Sequence, residues 1–171
     1  MDVERFLIDA NSLITPYRTY YSFDFAPKFW QQLGDHIEQG SIVLLDKVKD
    51  ELLKGDDELS DWLLDLDIRQ LIDHREPDIL AKYGEVLQCI QDDLRYKPAA
   101  LEEWSKDSVA DAWLIATAVA KDYTIITFET RNGGLSMANP SKNAKIPDVA
   151  DIFGAITKDL YYMMRTLEIA L

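Results

Sequence analysis

Two acidic residues close apolar runs. Phe6-Leu7-Ile8 leads straight into Asp9, and Tyr123-Thr124-Ile125-Ile126-Thr127-Phe128 leads into Glu129. Short continuous apolar runs suit strands buried on both faces. A carboxylate that closes such a run lies at the carboxyl end of a strand, where open α/β sheets bind their ligands. A third acid, Asp111, is the one ionisable residue between Asp107 and Lys121. Its segment, Ser108 to Ala120, is apolar nearly all round, which marks a helix buried against the sheet. An isolated carboxylate there costs on the order of several kcal/mol to bury, so it must be capped, protonated, paired or bound to a cation. Glu51 is the fourth. In the helix Lys47 to Lys54, Val48 and Leu52 mark the inner face; at about 100° per residue Glu51 falls on its flank and Asp50 nearly opposite.

Each acid also has a purely structural explanation. Asp9 suits the N-cap of a helix starting near Ser12, and Asp46 that of the helix Lys47 to Lys54. Ser108-x-x-Asp111 fits a capping box. Glu51 suits a solvated helix edge. Asp148, in the first turn of a helix after Lys145-Ile146-Pro147, is accounted for by the helix dipole and is a secondary candidate. Both kinds of reading stay open from these stretches alone.

The elements that must position these acids alternate between strand and helix. The run 6–8 is a first strand, followed by a helix over 12–21 that ends among Tyr17, Arg18, Tyr20 and Tyr21. Such aromatics stack on bases in single-strand binders and pack core rims elsewhere. Pro27 opens a second helix carrying Phe29, Trp30, Leu33 and Ile37, and Gly40 stops it. Ile42-Val43-Leu44-Leu45 is a second buried strand. Residues 55–106 are acidic and helical in pattern, with Ile68 to Ile72 as a short extended link, and read as an inserted helical hairpin. Beyond Glu129 come the loop Arg131-Asn132-Gly133-Gly134, a helix with Val149, Ile152 and Phe153, an edge strand over 155–157 and a closing amphipathic helix over 158–171. The pattern implies one domain over 1–171: a three-layer α/β/α fold around a mainly parallel sheet.

The chain has 171 residues with 31 acidic against 18 basic, a net charge of -13. A surface so negative disfavours broad electrostatic binding of nucleic acid, while leaving room for an enzyme that gathers acids around cations. One cysteine, Cys89, excludes a disulfide framework and a thiolate zinc site. His36 and His74 are the only histidines and lie far apart in the chain, which leaves little for a Ser/His/Asp or Cys/His nucleophile. Neither a signal peptide nor a membrane span is evident, so a cytoplasmic protein with no membrane partner is expected.

Asp9, Glu51, Asp111 and Glu129 converge if their elements pack over one sheet edge. Four carboxylates in one crevice raise each other's pKa unless a cation neutralises them. All-oxygen ligation suits a hard ion, Mg2+ or Mn2+. The stretches Phe6-Leu7-Ile8-Asp9-Ala10-Asn11-Ser12, Glu51 after the second strand, Ala110-Asp111-Ala112-Trp113-Leu114-Ile115-Ala116, and Ile126-Thr127-Phe128-Glu129 together resemble the PIN domain superfamily of metal-dependent nucleases. They are most similar to an uncharacterised bacterial and archaeal branch near the VapC-type toxins. That resemblance implies Asp9, Glu51, Asp111 and Glu129 as metal ligands, Glu129 standing where Asp is usual and Asp148 as its substitute. It implies Asn11, Ser12 and Thr127 as residues that hold ligands or water. The implied reaction is hydrolysis of an RNA substrate by water, leaving a 5′-phosphate; an antitoxin protein and a homodimer are the implied partners. Two alternatives stand beside it: a non-catalytic module of the same fold, and a haloacid-dehalogenase-like phosphatase, which needs a second Asp where Asn11 stands.

Overall fold

Phe6–Ile8 (β1) has no solvent-exposed side chain and lies between Ile42–Leu45 (β2) and Thr124–Ile126 (β4). In the computed structural model, which describes residues 3–171, Phe6 pairs with Ile42 on one side and Thr124 on the other, both in parallel. Leu71–Ile72 (β3) extends the sheet beyond β2, and Thr157–Lys158 (β5) extends it beyond β4, again in parallel. The order β3-β2-β1-β4-β5 puts every carboxyl end on one edge. The chain fills one half of the sheet from β1 outwards and then returns beside β1 to fill the other. A switch point therefore falls between β1 and β4, the place where open sheets of this kind form a ligand crevice.

Nine helices among the described residues flank the sheet, giving three layers, α/β/α. Asn11–Thr19 (α1) and Pro27–Gln39 (α2) join β1 to β2; Gly40, at φ 82°, ends α2 in the left-handed conformation that glycine tolerates. Asp46–Leu53 (α3) follows β2 directly, and Glu58–Asp65 (α4) leads to β3. Pro77–Asp92 (α5) and Pro98–Trp104 (α6) precede Asp111–Lys121 (α7), whose residues 112–118 are all buried. Ile146–Ile152 (α8) and Leu160–Thr166 (α9) complete the chain.

Several sequence expectations change. The acidic segment 55–106 is more than a helical hairpin inserted in the fold. It supplies the edge strand β3, which falls within the extended link expected over Ile68 to Ile72, and α5 packs along α7 as part of the helical layer. A two-residue strand is too short to show a period, and its backbone bonds to β2 define it. Ser108 caps nothing: α7 begins at Asp111 with Ala110 as N-cap and no side-chain bond. Asp46 lies inside the first turn of α3 rather than at its cap. The last helix is shorter than 158–171, and the strand after α8 lies at Thr157–Lys158. Of the two readings open for the aromatics near Tyr17, the core rim is the one the packing shows. Tyr17, Phe23 and Trp30 pack together, with Phe23 and Trp30 stacked at 4.5 Å, while Tyr20 is exposed.

Candidate metal centre

Asp9 is the first residue past β1. Its backbone N–H donates to the Ile126 carbonyl at 2.9 Å, so the chain leaves β1 still attached to β4. This fixes the side chain in the switch-point crevice, where it is 5% exposed. α1 has Ala10 as its N-cap with no side-chain bond, so the carboxylate of Asp9 is not used to start the helix. Thr127, just past β4, donates its hydroxyl to Asp9 Oδ2 at 3.0 Å. Burial pushes the Asp9 pKa up from 3.8 to about 6. Hydrogen bonds from Thr127 and Ala10 pull it down, and the charges of Glu51 and Glu129 push it up.

Asp111 opens α7 and is partly buried. Burial, followed by the charges of Glu129, Asp9 and Glu51, pushes its pKa from 3.8 to about 7, and Lys145 opposes the rise. Glu51 lies on the flank of α3, partly buried while Asp50 is exposed, as helical spacing predicts. Burial raises its pKa and Lys54 counters it. Residues more than a hundred positions apart in the chain thus act on one another through space. The fold has brought positions 9, 51, 111 and 129 into one electrostatic neighbourhood.

Glu129 has a second duty. One of its oxygens, Oε2, accepts the Ile146 backbone N–H at 2.6 Å, which satisfies a free donor at the start of α8; Oε1 lies 3.8 Å from Lys145 Nζ. Its own N–H donates to Thr127 Oγ1 at 3.1 Å. Asp148 faces elsewhere: Oδ2 accepts the Asn132 N–H at 3.0 Å, and its charge registers on Tyr96, Arg95 and Arg131. Ser12 is fully buried and donates to the Ile126 carbonyl at 3.2 Å, tying α1 to β4, whereas Asn11 is exposed at the start of α1. Of the expected supporting residues, Thr127 touches a candidate ligand directly.

A second group escaped the sequence reading. Ligand atoms of Asp46, Asp73 and His74 all lie within 4.8 Å of one another, a spacing that no three of the acids at positions 9, 51, 111 and 129 reach. His74 Nδ1 is 2.6 Å from Asp46 Oδ2, and the ring meets Trp113 edge-on at 4.8 Å. Asp46 also accepts the backbone N–H of Lys47 at 2.7 Å and that of His74, while Asp73 is held by Arg75. With the carboxylates so engaged, the group pins the end of β3 to the start of α3. The pattern that exposed Asp9 was present here too, since Leu71-Ile72 runs into Asp73-His74. Lys145 was likewise missed: it is the cation facing Asp111 and Glu129.

The model of a family described as a domain of unknown function, DUF4411, matches residues 6–171. The chain belongs to the DUF4411 family. The match starts at the first residue of β1 and covers every element that carries the acids. No curated protein matches the chain.

The donor set at the switch point fits a hard divalent ion. It consists of carboxylate oxygens, two of the acids are held well above their ordinary pKa by burial and mutual repulsion, and one lysine offers partial compensation. The acids stand farther apart than one tight ligand shell. A hard ion that keeps several of its own waters needs only a few carboxylates.

Proposed function

We propose that this chain is a metal-dependent endoribonuclease with Asp9, Glu51, Asp111 and Glu129 as the acids that hold the ion. The observation that carries the reading is the gathering of these four carboxylates at the switch point between β1 and β4. The resemblance of their motifs to the PIN superfamily supports it, and so does the absence of a spare histidine or cysteine beside them.

A divalent ion held there would polarise a phosphodiester and acidify a bound water. The residues of the chain do the rest. Asp9, nearly enclosed, is oriented by the Thr127 hydroxyl at its Oδ2. Asp111, whose pKa is lifted to about 7, accepts a proton readily near neutrality and gives up that capacity once a cation stands beside it. Glu129 couples the centre to α8 through the Ile146 N–H. Asp46 and His74 stay outside the reacting group and brace the edge.

The purified chain should degrade single-stranded RNA with Mn2+ or Mg2+ and not in EDTA, and Asp9→Asn or Asp111→Asn should abolish this. Cleavage by Asp9→Asn at the wild-type rate would overturn the reading. The narrower form, a toxin with a protein antitoxin and a homodimeric state, rests on the motif resemblance. Growth arrest on induction of the chain alone, relieved by Asp9→Asn, tests it.

A further inference from the structure

A cleft of about 390 Å³ opens beyond the carboxyl ends of β4 and β5, lined among others by Thr127, Phe128, Glu129, Arg131, Lys158 and Tyr161. Its volume falls within the range of pockets that hold small ligands, about 300–1,000 Å³. Two of its lining residues, Thr127 and Glu129, belong to the acidic group, so the cleft adjoins it. Two of its aromatic side chains are exposed. Phe128, two residues past β4, is 39% exposed and Tyr161, in the first turn of α9, is 46% exposed.

The charges in the lining are not equivalent. Asp159 is committed to α9, where its Oδ1 accepts the Tyr162 N–H at 2.7 Å, and Arg131 is committed to Asp151 at 2.6 Å. Lys158 has no acid within salt-bridge distance among the described residues; its Nζ rests 4.9 Å from the Tyr162 ring centroid. A second cation, Arg165, lies 6.0 Å from the Tyr161 ring. In a chain of net charge -13, a lysine with no acid partner that lines one cleft with two exposed rings and with Thr127 and Glu129 is a combination suited to a nucleotide. Open aromatic faces stack unpaired bases, and an ammonium meets a phosphate as a point charge.

We propose that this cleft is the subsite for the nucleoside next to the cleaved bond, with its base against Phe128 and Tyr161 and its flanking phosphate on Lys158. The proposal rests on the nuclease reading and assigns residues to the recognition of its single-stranded substrate. Recognition of this kind is local, which reconciles an anionic surface with an anionic substrate. A duplex is excluded, because paired bases offer no free face to a ring.

The test is fluorescence anisotropy of a short fluorescein-labelled oligouridylate titrated with the full chain in EDTA, where nothing is cleaved. Phe128→Ala, Tyr161→Ala and Lys158→Ala should each weaken binding about tenfold, the size expected for loss of a stacking face or a phosphate contact. Tyr161→Phe should bind like the wild type, which guards against misfolding as the cause. A labelled duplex of the same length should bind far more weakly. Equal binding of the alanine variants, or equal binding of the duplex, overturns the subsite. The two readings fail separately: cleavage lost with Asp9→Asn but untouched by the cleft variants removes the subsite alone. Ring-dependent binding without any metal-dependent cleavage removes the nuclease and leaves the strand-binding cleft.

Discussion

The hydroxyl of Thr127 donates to Asp9 Oδ2 at 3.0 Å and accepts the Glu129 N–H at 3.1 Å. One side chain thereby locks the ends of β1 and β4 together across the switch point and sets the charge balance of the most buried acid. Its hydrogen bond to the carboxylate is the largest influence holding the Asp9 pKa down against burial.

Thr127→Val keeps the shape of the residue and removes that donor. The charged form of Asp9 loses support, so its pKa should move above about 6. Carboxyl NMR titration measures it directly, and the acid limb of the cleavage profile should shift to higher pH in step. An unchanged Asp9 titration would show that the bond does not persist in solution.

Stability should fall as pH rises through the range of the raised acids. Asp9 and Asp111 titrate near 6 and 7 in the folded chain against 3.8 when unfolded, so between about pH 4 and 7 the native state holds protons that the unfolded state has released. Stability therefore declines with pH across that window and is lowest above it. Each pKa unit corresponds to about 1.4 kcal/mol, and allowing for the partial exposure of Asp111 the total is on the order of a few kcal/mol. Asp111→Asn removes its share. In EDTA the variant should melt above the wild type at pH 8 and close to it at pH 5, by calorimetry.

Millimolar Mg2+ or Mn2+ should reverse that penalty and raise the wild-type melting temperature at pH 8, since an ion bound only by the native state stabilises it. Asp9→Asn and Asp111→Asn should blunt the response. A melting curve that ignores both ions would speak against any metal at this centre.

His74→Ala deletes the ring that meets Asp46 at 2.6 Å and packs on Trp113. The expected loss is about 1–3 kcal/mol of stability, from one charge-assisted bond and its packing, with kcat for RNA cleavage unchanged. Denaturant unfolding and single-turnover kinetics separate the two. A fall in kcat at constant stability would move His74 into the reacting group.

Binding of single strands should depend weakly on salt. One lysine contact predicts a slope of log K against log salt of about -0.7, far from the steep slopes of broadly basic proteins. Titrations at several potassium chloride concentrations give the slope, and Lys158→Ala should flatten it.

The four acids stood out as candidates in the chain itself. Asp9 and Glu129 were visible because a doubly buried strand leaves an unbroken apolar run, and an acid closing that run has few other places to go. Asp111 stood out for the converse reason, a lone charge in an apolar helix. Glu51 was separated from Asp50 by helical geometry alone, and the structure places the two as that geometry requires, one partly buried and one exposed. β3 was legible only as an extended link over Ile68 to Ile72, because a two-residue strand has no period and its place in the sheet comes from its bonds to β2. The Asp46–His74 pair stayed hidden for a related reason: the partners stand twenty-eight positions apart in the chain and meet only once β3 is laid beside β2.

The amino-acid sequence by itself determined the alternation of strands and helices, the parallel α/β class and the residues able to carry charge into the core, since these follow from local apolar patterning. Only the tertiary structure decided which acids share a neighbourhood, that Glu129 also holds α8, that Asp148 turns to the Asn132 loop, and that a cleft with open rings adjoins the centre. Those relations are set by long-range pairing of strands and by which backbone donors remain free. Neither quantity is written in any single stretch of the chain.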